Sequence, residues 1–104
     1  MSFSEFLKAA GAAKRLEAEY AGDPAIVAAV MRAVLDGAAA ELGGAAEVSL
    51  VSVTLDQLGV LDEPQDVALE TRLDRQTRTL IFMSGMAHAG ELGLLKATAI
   101  YRIG

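Results

Sequence analysis

The sequence predicts an α+β domain in which two helical segments precede an antiparallel meander, and three observations carry that prediction. Residues 1–42 are rich in Ala, Leu, Lys and Glu, whereas residues 47–103 alternate and carry Val, Ile, Thr and Leu. Hydrophobic residues make up 53% of the 104, enough for a packed core within one domain spanning 1–104. Between these regions, AIVAAVMRAVLDGAAAEL (residues 25–42) is apolar nearly all the way round, interrupted only by Arg32, Asp36 and Glu41.

Each element has its own justification. Ser2 and Glu5 have the spacing of a capping box, and Phe3, Phe6, Leu7, Ala10, Leu16 and Tyr20 fall roughly on one face, so residues 1–20 read as an N-terminal amphipathic helix with a break at Gly11. Lys8, Lys14, Glu17 and Glu19 form its solvated side. Ala21-Gly22 ends that segment. Asp23-Pro24 then supplies a side-chain acceptor and an N-terminal proline, and Gly43-Gly44 a C-terminal cap, which predicts a helix over 23–42. At 1.5 Å per residue it is about 30 Å long. So broad an apolar surface needs a wrapping sheet or a partner subunit to cover it.

Strands are expected at 47–55, 66–74, 78–88 and 92–103. Residues 66–74 alternate cleanly, with Val67, Leu69, Thr71 and Leu73 on one face and Glu70, Arg72 and Asp74 on the other. The last two are apolar on both faces, which predicts central or interfacial positions. Short connections near 75–77 and 89–91 suit hairpins, and 56–66, with Pro64, is a longer loop.

Composition excludes several functions. Nine basic against fourteen acidic residues give a net charge of -5, unsuited to a nucleic-acid partner, which needs a basic footprint. With no cysteine and a single histidine, thiolate sites, thiol nucleophiles and multi-histidine metal centres are ruled out, and no metal is expected. Residues 1–20 lack the pattern of a signal peptide, and a charge at the centre of a membrane span costs roughly 2.5–3.5 kcal/mol, so Arg32, Asp36 and Glu41 argue against a crossing. A cytoplasmic protein without a membrane partner is expected. Ser84-Gly85 lacks the surroundings of a nucleophile elbow, and no phosphate-binding glycine loop occurs.

VAAVMRAVLDGAAAEL followed by EVSLVSVTL, DVALETRLDRQTRTLIFMSGMAH and ELGLLKATAIYRI resembles the hotdog-fold thioesterase superfamily, in which a curved antiparallel sheet wraps a long central helix. The resemblance covers roughly residues 25–103. Its strongest local form is to acyl-CoA thioesterases related to the phenylacetate-degradation enzyme, where a His-Gly-Gly at the helix start is followed by an acid in a pattern like L-x-D-x-A. Here Val27, Ala28 and Ala29 stand in place of His-Gly-Gly, and Asp36 stands at the acid. The resemblance implies a thioester hydrolase with Asp36 as general base or nucleophile, and a carbonyl polarised by backbone N–H groups near Ala28 and Ala29. It further implies a side-by-side homodimer or dimer of dimers with sites at the subunit boundary. No cofactor is implied, coenzyme A entering only as part of an acyl thioester. A strand before the helix is also implied, yet residues 1–20 read as helical.

Each candidate has a plainer alternative. Asp36 lies four residues after Arg32, so the two can form an ion pair without catalysis. Arg72, Arg75 and Arg78 cluster around the second hairpin, where the fork-shaped guanidinium suits coenzyme A phosphates, but Arg72 also fits a wet strand face. Met31, Met83 and Met86 suit either a pliable acyl pocket or core filling. His88 reads as an exposed turn residue rather than a base. Two functions therefore stand: an acyl-CoA or acyl-carrier thioesterase, and a non-catalytic hotdog module that binds an acyl group or serves as a dimeric scaffold.

Overall fold

Alternation in the second half of the chain sorts side chains to two faces of a sheet, and the long helix covers one of them. The computed structural model describes residues 12–104. Within them, β1 (Ala12–Leu16), β2 (Val48–Gln57), β3 (Val67–Gln76), β4 (Leu80–Ala89) and β5 (Leu92–Ile103) form one antiparallel sheet in the order β1-β3-β4-β5-β2. A short helix, α1 (Ala18–Ala21), leads into the 20-residue α2 (Pro24–Gly43). This is the hotdog arrangement, with the two most apolar strands, β4 and β5, at the centre. Register shifts at Leu50/Ser52, Leu73/Arg75 and Ala87/His88 bend the strands.

The caps of α2 act as their chemistry dictates. Asp23 accepts a hydrogen bond from the Ala25 N–H at 2.9 Å, Pro24 opens the first turn, and Gly44 closes the helix at φ 61°. Val27, Met31, Leu35 and Ala39, spaced four apart, are buried against the sheet. Register aligns Leu69, Ala87 and Leu95 in one row and Thr71, Gly85 and Ala97 in the next. The second row is made of small residues because α2 sits closest there: a Cβ at Gly85 would lie 2.5 Å from Met31 Sδ. Met31 and Leu35 are fully buried, each contributing roughly 1.5–3 kcal/mol.

One expectation is corrected. Residues 12–16, expected within a first helix, form β1, and among the described residues the helix of this segment is Ala18–Ala21. The reason is tertiary. β1 pairs Ala12 with Thr71 and Leu16 with Val67, and so satisfies the outer edge of a strand whose Val67 and Leu69 are 0% exposed. A buried unpaired amide costs about 1–3 kcal/mol, which outweighs helix propensities that differ by only about 0.7 kcal/mol per residue. Asp66 secures this segment, accepting the Ala18 N–H at 3.0 Å and pairing with Arg15 at 3.7 Å. The Ser2–Glu5 capping box and the apolar face from Phe3 to Ala10 lie outside the described residues.

β2, β3, β4 and β5 pack against one face of α2, while Ile26, Ala29 and Ala33 remain exposed along a groove of about 560 Å³ that Thr71 of β3 borders. No helix among the described residues is long and apolar enough to cross a membrane.

Candidate functional site

Asp36 lies halfway along α2, on the flank turned towards β5. With 100° per residue, Arg32 and Asp36 project on one side of the buried Val27–Met31–Leu35 stripe, while Val30, Val34 and Ala38 project on the other, towards Thr71. The carboxylate and the apolar groove therefore occupy opposite flanks. Asp36 lines neither that groove nor the one of about 440 Å³ on the far sheet face.

Two residues hold the carboxylate. Arg32 donates its Nε–H to Oδ1 at 3.2 Å and Oδ2 at 3.1 Å, and the Tyr101 hydroxyl donates to Oδ1 at 2.7 Å. The Asp36 side chain stays 42% exposed and that of Arg32 45%, so the ion pair does not seal the acid from solvent. Tyr101, by contrast, is 2% exposed. Its burial, and then the neighbouring Asp36 charge, push its hydroxyl well above the usual tyrosine range. The phenol thus stays protonated and remains a donor.

Tyr101 was not singled out from the sequence, although a signal was present. It continues the inward Ala97, Ala99 series of β5, and a tyrosine inside a core must find a partner for its O–H. On α2, Asp36 is the acid that meets it. Tyr101 pairs in register with Leu50 of β2, the strand at the sheet edge, so the acid faces the flank nearest that edge. β2 carries no lysine or proline, and Val51 and Leu55 on it are 52% and 39% exposed.

Ala28 and Ala29 lie in the second turn of α2, one half-buried and one exposed. Their N–H groups fall at positions that donate to Pro24 and Ala25 within the helix ladder. The N–H groups before them are taken as well: Ala25 by the Asp23 carboxylate, Ile26 and Val27 by the Asp23 carbonyl at 3.1 Å each. The expected backbone donors at the helix start are therefore already engaged. Moreover Ala28 is eight residues from Asp36, about 12 Å along the axis, too far to share one carbonyl with it inside a single chain.

The arginines sit elsewhere. Arg75 lies over the Phe82 ring at 5.9 Å, and Phe82 is registered with Ile100 and Ser52, on the sheet face opposite α2. Arg78 is exposed in the β3–β4 turn. Neither meets Asp36 in this chain. Arg72 is not simply on a wet face: its side chain is 12% exposed and pairs with Asp74, which also accepts the Ser84 hydroxyl. His88 is likewise not an exposed turn residue. It lies within β4, is buried, shares a hydrogen bond between Nδ1 and the Gly90 carbonyl at 3.0 Å, and places Nε2 3.5 Å from Glu70. The hairpin turn is Gly90-Glu91, within the expected 89–91, and Gly90 takes its positive φ. Met31 and Met83 are core residues.

No family model matches the sequence, and no curated protein is similar to it in sequence. Solved structures do share its fold. A hypothetical thioesterase from Streptococcus pneumoniae TIGR4, solved with coenzyme A, superposes with a TM-score of 0.70 at 11% identity, over 88% of this chain and 75% of that one. A putative thioesterase related to phenylacetic acid degradation, from Ralstonia eutropha JMP134, gives 0.73 at 19% identity, over 92% and 78%. A Streptococcus mutans UA159 protein bound to acetyl-CoA gives 0.71 at 9% identity, over 88% and 77%.

Proposed function

We propose that this chain is a hotdog-fold thioesterase acting on an acyl-CoA or acyl-carrier thioester, with Asp36 as its general base, and that it works as a cytoplasmic homodimer. The observation that carries the reading is the Asp36 carboxylate: half-exposed, fixed by a buried hydroxyl, and turned towards an open apolar strand edge. An unprotected edge with exposed Val51 and Leu55 favours pairing with a second copy, which would enclose Asp36 at the boundary. The likeness of fold to coenzyme A-bound proteins supports the substrate class.

In the reaction, Asp36 takes a proton from water as the water oxygen bonds to the thioester carbonyl carbon. The tetrahedral intermediate then collapses, the C–S bond breaks, and the leaving sulfur takes the proton back from Asp36, yielding a carboxylic acid and a thiol. Direct attack by Asp36, giving an anhydride that water hydrolyses, is the covalent form of the same reading. Ala28 and Ala29 lie about 12 Å from Asp36 within one chain, and their N–H groups are engaged in the helix in every copy, so in this reading the helix start of the second copy contributes the positive end of its dipole to the carbonyl rather than a free donor. Arg75 and Arg78, remote from Asp36 of their own chain, would meet the phosphates of coenzyme A only across the boundary.

A second reading has its own support. Asp23 occupies the N–H groups at the helix start, and Arg32 pairs with Asp36, as suits a hotdog module that holds an acyl group without cleaving it. Thiol release from short, medium and aromatic acyl-CoA thioesters, measured with wild type, Asp36→Ala and Asp36→Asn, separates the two. Loss of turnover in both variants is expected. Equal background rates in all three end the enzyme reading, and a thermal shift with acyl-CoA but not acetate would then speak for binding alone.

A further inference from the structure

We infer that Tyr101 is the positioning residue for Asp36, locking Oδ1 and so leaving Oδ2 as the oxygen presented to water; this rests on the proposed thioesterase reading. Arg32 alone is a poor anchor. It is an i,i+4 neighbour on the same helix and 45% exposed, and such surface pairs exchange readily with solvent. Tyr101 comes from the sheet, is 2% exposed, and contacts the carboxylate at 2.7 Å. It therefore ties the acid to the rigid core rather than to another mobile side chain.

The bonds also divide the work between the two oxygens. Oδ1 accepts from both Tyr101 and Arg32, whereas Oδ2, among the described residues, accepts only from Arg32 Nε, at 3.1 Å. A carboxylate oxygen has two lone pairs, so Oδ2 has a second acceptor site beyond the one Arg32 fills, on a side chain that is 42% exposed. With Tyr101 in place the carboxylate plane is fixed by donors from two elements. Without it the group rotates about its own side chain, and the base samples many orientations.

The test uses full-length wild type, Tyr101→Phe, Asp36→Asn and the double variant. Phenylalanine keeps the buried ring and removes only the hydroxyl. For Tyr101→Phe, kcat should fall about ten- to a hundredfold with KM within about twofold, the size of loss that misplacing a reacting group produces. Adding Tyr101→Phe to Asp36→Asn should cost nothing further, since the hydroxyl acts only through the acid. A purely structural tyrosine would lower the melting temperature and leave kcat of the folded fraction unchanged. An active wild type with undiminished kcat in Tyr101→Phe overturns the inference while leaving the thioesterase reading intact. An inactive wild type overturns that reading, and the inference falls with it. A readout independent of turnover uses Tyr20→Phe, which leaves Tyr101 as the sole tyrosine. Its tyrosinate absorbance should appear at lower pH once Asp36→Asn is added, and an unmoved midpoint would show that the contact does not form.

Discussion

Gly85 gives the sharpest test of how closely α2 seats on the sheet. A methyl group there would lie 2.5 Å from Met31 Sδ and 3.5 Å from Leu35 Cδ2, where an ordinary contact needs about 3.5–4.0 Å. Met31 and Leu35 are both 0% exposed, so neither has open space to retreat into. Overpacking of this kind costs about 1–3 kcal/mol, offset by about 0.4–1 kcal/mol from the less flexible unfolded chain. Gly85→Ala should therefore destabilise by about 1–2 kcal/mol, or about 4–16 °C in melting temperature. Met31→Ala alone should cost about 2–5 kcal/mol through the cavity it leaves. Combining them reverses the first effect: the new methyl enters the vacated space, so Gly85→Ala becomes neutral or mildly stabilising in that background. Urea unfolding of all four proteins at one fixed concentration measures the coupling, concentration being held constant because association shifts apparent stability. Equal effects of Gly85→Ala in both backgrounds would refute the argument that Met31 presses on this point of the sheet.

Three further outcomes are expected. Asp23→Ala, which removes the acceptor for the Ala25 N–H, should lower stability by about 1 kcal/mol in the same assay, and no change would mean that solvent caps the helix equally well. Lysines at Val51 and Leu55 together should convert a dimer to monomers in sedimentation and abolish turnover, because like charges would meet along the open edge of β2; a persisting dimer would locate the interface elsewhere. Stability should decline as pH rises past about 10, the ordinary tyrosine value. There the unfolded chain releases the Tyr101 proton while the folded protein, with its raised pKa, retains it, so the unfolded state gains. Tyr101→Phe should remove that part of the slope, and an unchanged slope would assign the decline to other groups.

Periodicity and punctuation are local properties, and they determined the long helix with its Asp23-Pro24 and Gly44 ends, the spans of β2 to β5, and the central place of the two most apolar strands. Asp36 also stood out from sequence alone, as an acid in a helix otherwise greasy. What the local pattern could not decide was which groups meet across the fold. Ala12–Leu16 has helical preferences, and only the unsatisfied edge of β3 turns it into a strand. His88 and Arg72 read as surface residues until Glu70 of β3 meets the first and Ser84 of β4 joins the Asp74 that holds the second. The partner of Asp36 lies 65 residues away on β5, a separation that no helix or strand period encodes. Short-range preferences are summed along the chain, whereas burial and hydrogen-bond satisfaction are settled only when distant segments compete for the same backbone groups and the same space.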